Sequence, residues 1–205
     1  VNVMHKVLDF IKKNKQFSFF LLLVILLALI TIFAPVIAPQ DPYVSDLKNA
    51  LQPPSSDHWF GTDKLGRDIF SRVIYASRSS LPATLILVVL IFAIGTLLGT
   101  LAGYFGGWID AVIMRISDMM ISFPGMVLAI AVAGIMGASV KNAVIAVAVV
   151  SWPKYARLAR SLVMKIRHED YIYAAIVTGS KTSYILRKYM LPNIIPTLII
   201  TAATD

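Results

Sequence analysis

"SSLPATLILVVLIFAIGTLLGTLAGYFGGWI", Ser79 to Ile109, runs for 31 residues without a charged side chain. A helix needs about 20 consecutive apolar residues to cross the hydrocarbon core of a bilayer, and this stretch has more than enough. An amphipathic helix of a soluble protein would carry charges along one face. None occurs here, so the stretch predicts a membrane-spanning helix. Gly95, Gly99 and Gly103 recur within it every four residues. That spacing puts them on one helix face, where the missing side chains let another backbone come close. Two readings fit the face: packing within this chain, or contact with a partner subunit.

Working outward, a second charge-free run extends from Gln16 to Gln40, almost wholly apolar between Phe17 and Ile37. Lys6, Lys12, Lys13 and Lys15 precede it. A signal peptide begins in the same way, but its apolar core is only about 7–15 residues long. Residues 1–37 therefore read as a cytoplasmic N-terminus and a first, uncleaved transmembrane helix, the lysines staying inside. Residues 38–78 form a polar segment with Pro39, Pro42, Pro53 and Pro54. Its basic residues (Lys48, Lys64, Arg67, Arg72 and Arg78) balance Asp41, Asp46, Asp57, Asp63 and Asp68, as suits an extracytoplasmic loop. Its expected structure is a turn at Gly61 followed by a short helix lying on the membrane, with Arg67 and Asp68 paired to neighbours.

Residues 79–205 then read as a helical core. Pro124 suggests a break, after Asp110, Arg115 and Asp118 mark a polar edge. A third apolar run covers Met119 to Val140, and a fourth, Asn142 to Pro153, has only 12 residues. The fourth crosses only if Lys141 reaches up to the interface and protein shields its lower turns. Beyond it the charge changes sharply. Lys154, Arg157, Arg160, Lys165, Arg167, Lys181, Arg187 and Lys188 face only Glu169 and Asp170 as acids. The positive-inside rule makes this segment, about residues 154–190, cytoplasmic. Four crossings then bring the chain back to the side on which it began. A fifth apolar run, Tyr189 to Thr204, is interrupted by Pro192 and Pro196, and at Asp205 the sequence looks cut short within it. The fold class expected is all-α, a polytopic transmembrane helical bundle.

Composition agrees with that reading. Hydrophobic residues make up 58% and charged residues 15%, against about 25% charged in soluble domains. The net charge of +8 belongs on the cytoplasmic side. No dense basic and aromatic patch suggests nucleic acid. The absence of cysteine excludes thiol catalysis and disulfides. "GTDKLGRD", Gly61 to Asp68, nearly spells a phosphate-binding loop. That loop reads G-x-x-x-x-G-K-[ST]; here Gly61 and Gly66 stand in place, but Arg67 and Asp68 replace the lysine and hydroxyl. Asp68 could bind magnesium but would sit against phosphate and repel it, and the topology puts the segment outside the cell. His5, His58 and His168 lack metal-ligand spacing, and no serine lies in a G-x-S-x-G elbow. The main apolar runs carry no carboxylate that could relay protons. The residues offer no catalytic group, metal site or cofactor site, so transport by this chain must be powered from elsewhere.

Four blocks in order carry a family resemblance: "HWFGTDKLGRDIFSRVIYASRSSL" (His58 to Leu81), "GYFGGWIDAVIMRISDMMISFP" (Gly103 to Pro124), "SWPKYARLARSLV" (Ser151 to Val163) and "YAAIVTGSKTSYILRKYMLPN" (Tyr173 to Asn193). They resemble the inner-membrane permeases of ATP-binding-cassette importers for dipeptides, oligopeptides and nickel. The last block resembles the family's cytoplasmic loop E-A-A, three residues, G, nine residues, I-x-L-P. Ala174, Ala175, Gly179, Leu191 and Pro192 match; Tyr173 stands at the glutamate and Tyr189 at the isoleucine. Tyrosine offers a hydroxyl and a flat apolar face where glutamate would offer charge-assisted hydrogen bonds.

The resemblance implies the type I importer permease fold, in the cytoplasmic membrane. It implies a second permease subunit, two ATPase subunits that bind the coupling loops from the cytoplasm, and an extracytoplasmic solute-binding protein. ATP hydrolysis would reside on the ATPase subunits. The rival of another class is a non-transporting membrane scaffold or assembly protein, its basic loop serving only as an anchor. Peptide and nickel permeases share these blocks; Tyr173 and the wording "YARLARSLV" lean toward nickel.

Overall fold

The structure is a computed structural model that describes residues 13–204. Lys6, Lys12 and His5, and Asp205 at the other end, lie outside the described residues. The described chain is helical, its one β-type contact an isolated bridge between Thr62 and Asp68. Two compact units divide at Pro82.

In the first unit, α1 spans Lys15–Ile32. Its 18 residues give about 27 Å of helix, and no residue of it is buried within the protein. Such a surface is stable only in lipid. Phe33 ends α1, its amide still donating to the Leu29 carbonyl at 2.8 Å. Pro35 cannot donate in turn, and it sits at the start of a single-turn helix α2, Ala34–Ile37.

The polar segment that follows is stitched together by its own backbone. The amides of Asp46, Leu51 and Thr62 donate to the carbonyls of Leu65, Asp63 and Gln52 at 3.0, 3.1 and 3.1 Å. Helix α3 then begins at Ile69 and runs without interruption to Phe105. This corrects the expected short helix on the membrane surface: the residues after Asp68 are the first turns of a helix of 37 residues, about 55 Å long. Arg72 and Arg78 fall in those early turns, and the helix continues past them into the apolar run, although Pro82 has no amide to donate to the Arg78 carbonyl.

In the second unit, α4 (Gly107–Ile121) and α5 (Gly125–Met136) meet at a bend of 93°. Pro124 sits at this break, where its missing amide costs least. The Asn142 amide side chain donates to the carbonyls of Met136 and Gly137 at 2.6 and 3.0 Å and so closes the end of α5. Ser139 caps α6, Val140–Arg167.

The 28 residues of α6 pass through Pro153, which is buried inside the helix. The short fourth run is therefore the apolar half of a helix about 42 Å long, and Ala146, Ala148, Val150 and Trp152 are buried against protein. By length and composition α1 and α3 each suffice to cross a membrane; the bent α4–α5 pair is long and apolar enough only when taken together, as a broken span or a re-entrant loop. The apolar first half of α6, the fourth run of the sequence, is continuous with its charged second half.

A short helix α7 (Asp170–Val177), a single turn α8 (Thr182–Ile185), a wide π-type turn (Leu186–Met190) and α9 (Leu191–Ala203) complete the described chain. Their buried residues Ile172, Ala175, Ile185, Met190, Ile194 and Leu198 share one apolar core with Ile91, Tyr155, Ala159 and Val163.

The glycine face of α3 meets α6 of the same chain. A Cβ on Gly95 would lie 2.5 Å from the Tyr155 Cβ, one on Gly99 2.8 Å from the Ala159 Cβ, and one on Gly103 2.8 Å from the Arg160 carbonyl oxygen. No side chain fits at those separations, so the helices touch backbone to backbone. Gly99→Ala is expected to cost about 2 kcal/mol by overpacking, more than the helix propensity of about 1 kcal/mol that alanine returns. Gly134→Ala, where a Cβ meets nothing within 4 Å, is expected to be neutral or stabilising. Thermal unfolding of the two variants in detergent compares them directly.

Candidate functional site

The coupling segment is built on α7. Glu169 enters in extended conformation and Asp170 opens the helix, an acid at the positive end of the helix dipole. Ile172 and Ala175 turn inward and are buried, while Tyr173 and Ala174 face out. The Tyr173 hydroxyl lies 3.1 Å from His168 Nδ1. Tyr173 therefore reaches back to the end of α6 as well as offering its ring outward, half exposed at 50%. Ile176 and the almost bare Val177 extend the exposed apolar surface.

Gly179 closes the helix. The Ser180 amide donates to the Ala175 carbonyl and the Gly179 amide to the Ile176 carbonyl, both at 3.0 Å. These two bonds are the Schellman closure. It requires a left-handed residue between them, and Gly179 supplies one with φ +78°. The chain then reverses through α8. Leu191 packs against the core, and Pro192 occupies the first turn of α9, where a missing amide is harmless. The structure thus places Tyr173, Ala174, Ala175 and Gly179 on one short element, and sets Leu191 and Pro192 at the start of the helix beyond it. The basic run continues here: Lys188 Nζ lies 5.1 Å from the centre of the Tyr184 ring.

Gly61 to Asp68 is a closed turn. Asp63 Oδ1 accepts from the amides of Leu65 and Arg67 at 2.8 and 3.0 Å. Its Oδ2 accepts from Arg67 Nε at 2.9 Å and pairs with Arg67 Nη2 at 2.7 Å. In a phosphate loop such amides face the ligand; here they are consumed by the chain's own carboxylate. The Arg67 guanidinium and these amides hold the Asp63 carboxyl down at about 2. Gly66 has φ +73°, and a Cβ there would collide with the Asp46 backbone, so only glycine fits.

Asp68 is 2% exposed. Its Oδ2 accepts from the amide and hydroxyl of Ser71, each at 2.7 Å, and its Oδ1 lies 3.1 Å from His58 Nδ1. Burial pushes its pKa up, but the Ser71 and His58 bonds outweigh that and hold it below the usual carboxylate range. Ser71 in turn accepts from the Gln40 amide at 3.2 Å. His58, which has no sequence signal beyond its type, is thus a structural partner of Asp68. Among the described residues no cluster of histidine, cysteine and acidic side chains could hold a metal ion.

Comparison with known proteins agrees with this architecture. Residues 95–205 match the family described as binding-protein-dependent transport system inner membrane component. Residues 4–54 match the N-terminal transmembrane domain of oligopeptide transport permease C. The chain is 43% identical to a dipeptide transport system permease protein of Alkalihalophilus pseudofirmus, over 94% of this chain and 63% of that protein. It is 36% identical to a nickel transport system permease protein of Escherichia coli, over 90% of this chain and 67% of that protein. It is 42% identical to a glutathione transport system permease protein of Pectobacterium atrosepticum, over 87% of this chain and 60% of that protein. The chain therefore spans roughly three fifths to two thirds of the length of these relatives. It belongs to the inner-membrane permeases of the dipeptide, oligopeptide and nickel family of ATP-binding-cassette importers.

Proposed function

We propose that the chain is part of the transmembrane permease subunit of an importer that moves short peptides or nickel across the cytoplasmic membrane. In this reading it pairs with a second permease, and α7 docks on one of two separate ATPase subunits. A solute-binding protein delivers the solute from outside. The observation that carries the reading is the build of α7. Its inner face is locked into the core shared with α6 and α9, while Tyr173, Ile176 and Val177 stand exposed beside it. A partner that moves this helix would move the core with it.

The basic residues around α7 support a cytoplasmic location, with the N-terminus on the same side. ATP binding supplies the energy difference that favours one state of the pathway over the other. Co-purification of the full-length permease with an ATPase subunit tests the assembly. Uptake of labelled dialanine against labelled nickel in a deletion strain then assigns the solute. A permease that never associates with an ATPase, or an α7 reached by labelling reagents from outside intact cells, defeats the proposal.

A further inference from the structure

Two ion pairs join α4 to α6. Asp110 sits in the first turn of α4 and Asp118 eight residues later, just over two turns along and so near the same face. Arg160 grips Asp110 with two prongs: Nη2 donates to Oδ2 at 2.5 Å and Nε donates to Oδ1. Arg157 Nη2 donates to Asp118 Oδ1 at 2.5 Å. The two differ in setting. Asp110 and Arg160 are 20% and 32% exposed, Asp118 and Arg157 56% and 44%. Exposed pairs are screened and contribute little. A sheltered two-pronged pair fixes orientation as well as distance.

The position of the sheltered pair matters. Arg160 lies on the stretch of α6 against which α3 packs, its own carbonyl facing Gly103. One turn further on, Val163 enters the core that holds Ile172 and Ala175 of α7, and α6 leads into α7 through His168 and Glu169 alone. In the other direction, α4 runs on from Asp110 for about three turns to the 93° bend at Pro124 and into α5. Broken helices inside a membrane are tolerated where they line a pathway or are buried in protein.

We propose that Asp110 and Arg160 are positioning residues that transmit movement of α7 to the start of the bent α4–α5 pair. This rests on the proposed permease role. Displacement of α7 carries α6 with it through their shared core. The two-pronged pair makes the start of α4 follow α6, and α5 follows through its own packing along α6, so both arms of the bend move with α6. The half-exposed Asp118–Arg157 pair, at the end of α4 beside the bend, is screened and contributes little.

The test uses the complete transporter, reconstituted in liposomes with its ATPase subunits and binding protein. The readout is labelled dialanine or labelled nickel taken up per ATP hydrolysed. Asp110→Asn is expected to assemble and hydrolyse ATP but to lower uptake per ATP by about tenfold, within the range of a typical coupling between sites. Arg160→Lys keeps the charge and loses the two-pronged grip; it is expected to assemble normally and lower the same ratio. It also carries the test should Asp110→Asn fail to assemble. Asp110→Arg combined with Arg160→Asp is expected to recover part of the ratio lost in Asp110→Asn. An unchanged ratio in Arg160→Lys overturns the proposal, as does equal loss of uptake and hydrolysis. Wild-type uptake and ATPase association, measured in the same preparation, report separately on the permease role.

Discussion

Gly179→Pro is expected to abolish uptake while leaving the permease in the membrane at its normal level. The reason is local. Proline holds φ near −65°, whereas residue 179 sits at +78°. Proline also removes the amide that donates to the Ile176 carbonyl at 3.0 Å. Both losses fall on the closure of α7, so the helix would unwind or turn its exposed face elsewhere. No atom lies within 4 Å of a Cβ at this position, so the apolar core does not register the change directly. Uptake should fall by at least about tenfold, the equivalent of about 1.4 kcal/mol in coupling, with co-purification of the ATPase subunit falling in parallel. Normal uptake by this variant would count decisively against a docking role for α7. Gly179→Asn is the matched control, because asparagine is among the residues that tolerate left-handed backbone, and it should retain most activity.

Asp68→Ala is expected to loosen the polar segment by about 2–3 kcal/mol, the scale of lost charge-assisted hydrogen bonds together with partners left unpaired. Three bonds end on this carboxylate: two from Ser71 and one shared with His58. All three side chains are buried, so water does not readily replace what is lost. Hydrogen exchange over residues 58–71 measures the change; protection equal to wild type would show that the carboxylate contributes nothing. The same segment should respond to acid. Asp63 and Asp68 both have folded pKa values held below the ordinary 3.8, Asp63 down to about 2. A lowered folded pKa gives stability that is present above the unfolded value and is lost as pH falls through the folded one. The segment should therefore be fully protected at pH 5 and above, and should loosen as pH falls from about 4 towards about 2.

Much of the fold is written in the placement of charge. The uncharged runs around Phe17–Ile37 and Ser79–Ile109 mark α1 and α3, because lipid tolerates no unpaired charge. Pro124 marks the break between α4 and α5 because it lacks an amide. The length of helices is less legible. Helix α3 reaches back to Ile69 through Arg72 and Arg78, because helix hydrogen bonds ignore the change from polar to apolar side chains. Helix α6 runs through Pro153, where burial among the other helices holds a residue that would end an isolated helix. The Gly61 to Asp68 motif shows the same limit at a smaller scale. Its residue types exclude a phosphate loop, but the partners of Asp63 and Asp68 come from folding the turn.

The sequence by itself determined that this chain lives in a bilayer and belongs to a permease family, since hydropathy, charge placement and ordered motifs are properties of residues along the chain. Tertiary structure alone decided what touches what. It brought the glycine face of α3 onto α6, joined Asp110 to Arg160 across fifty positions, and gave His58 to Asp68. Such contacts depend on where helices end and how closely they approach, which is set by the packing of whole surfaces and by no single segment.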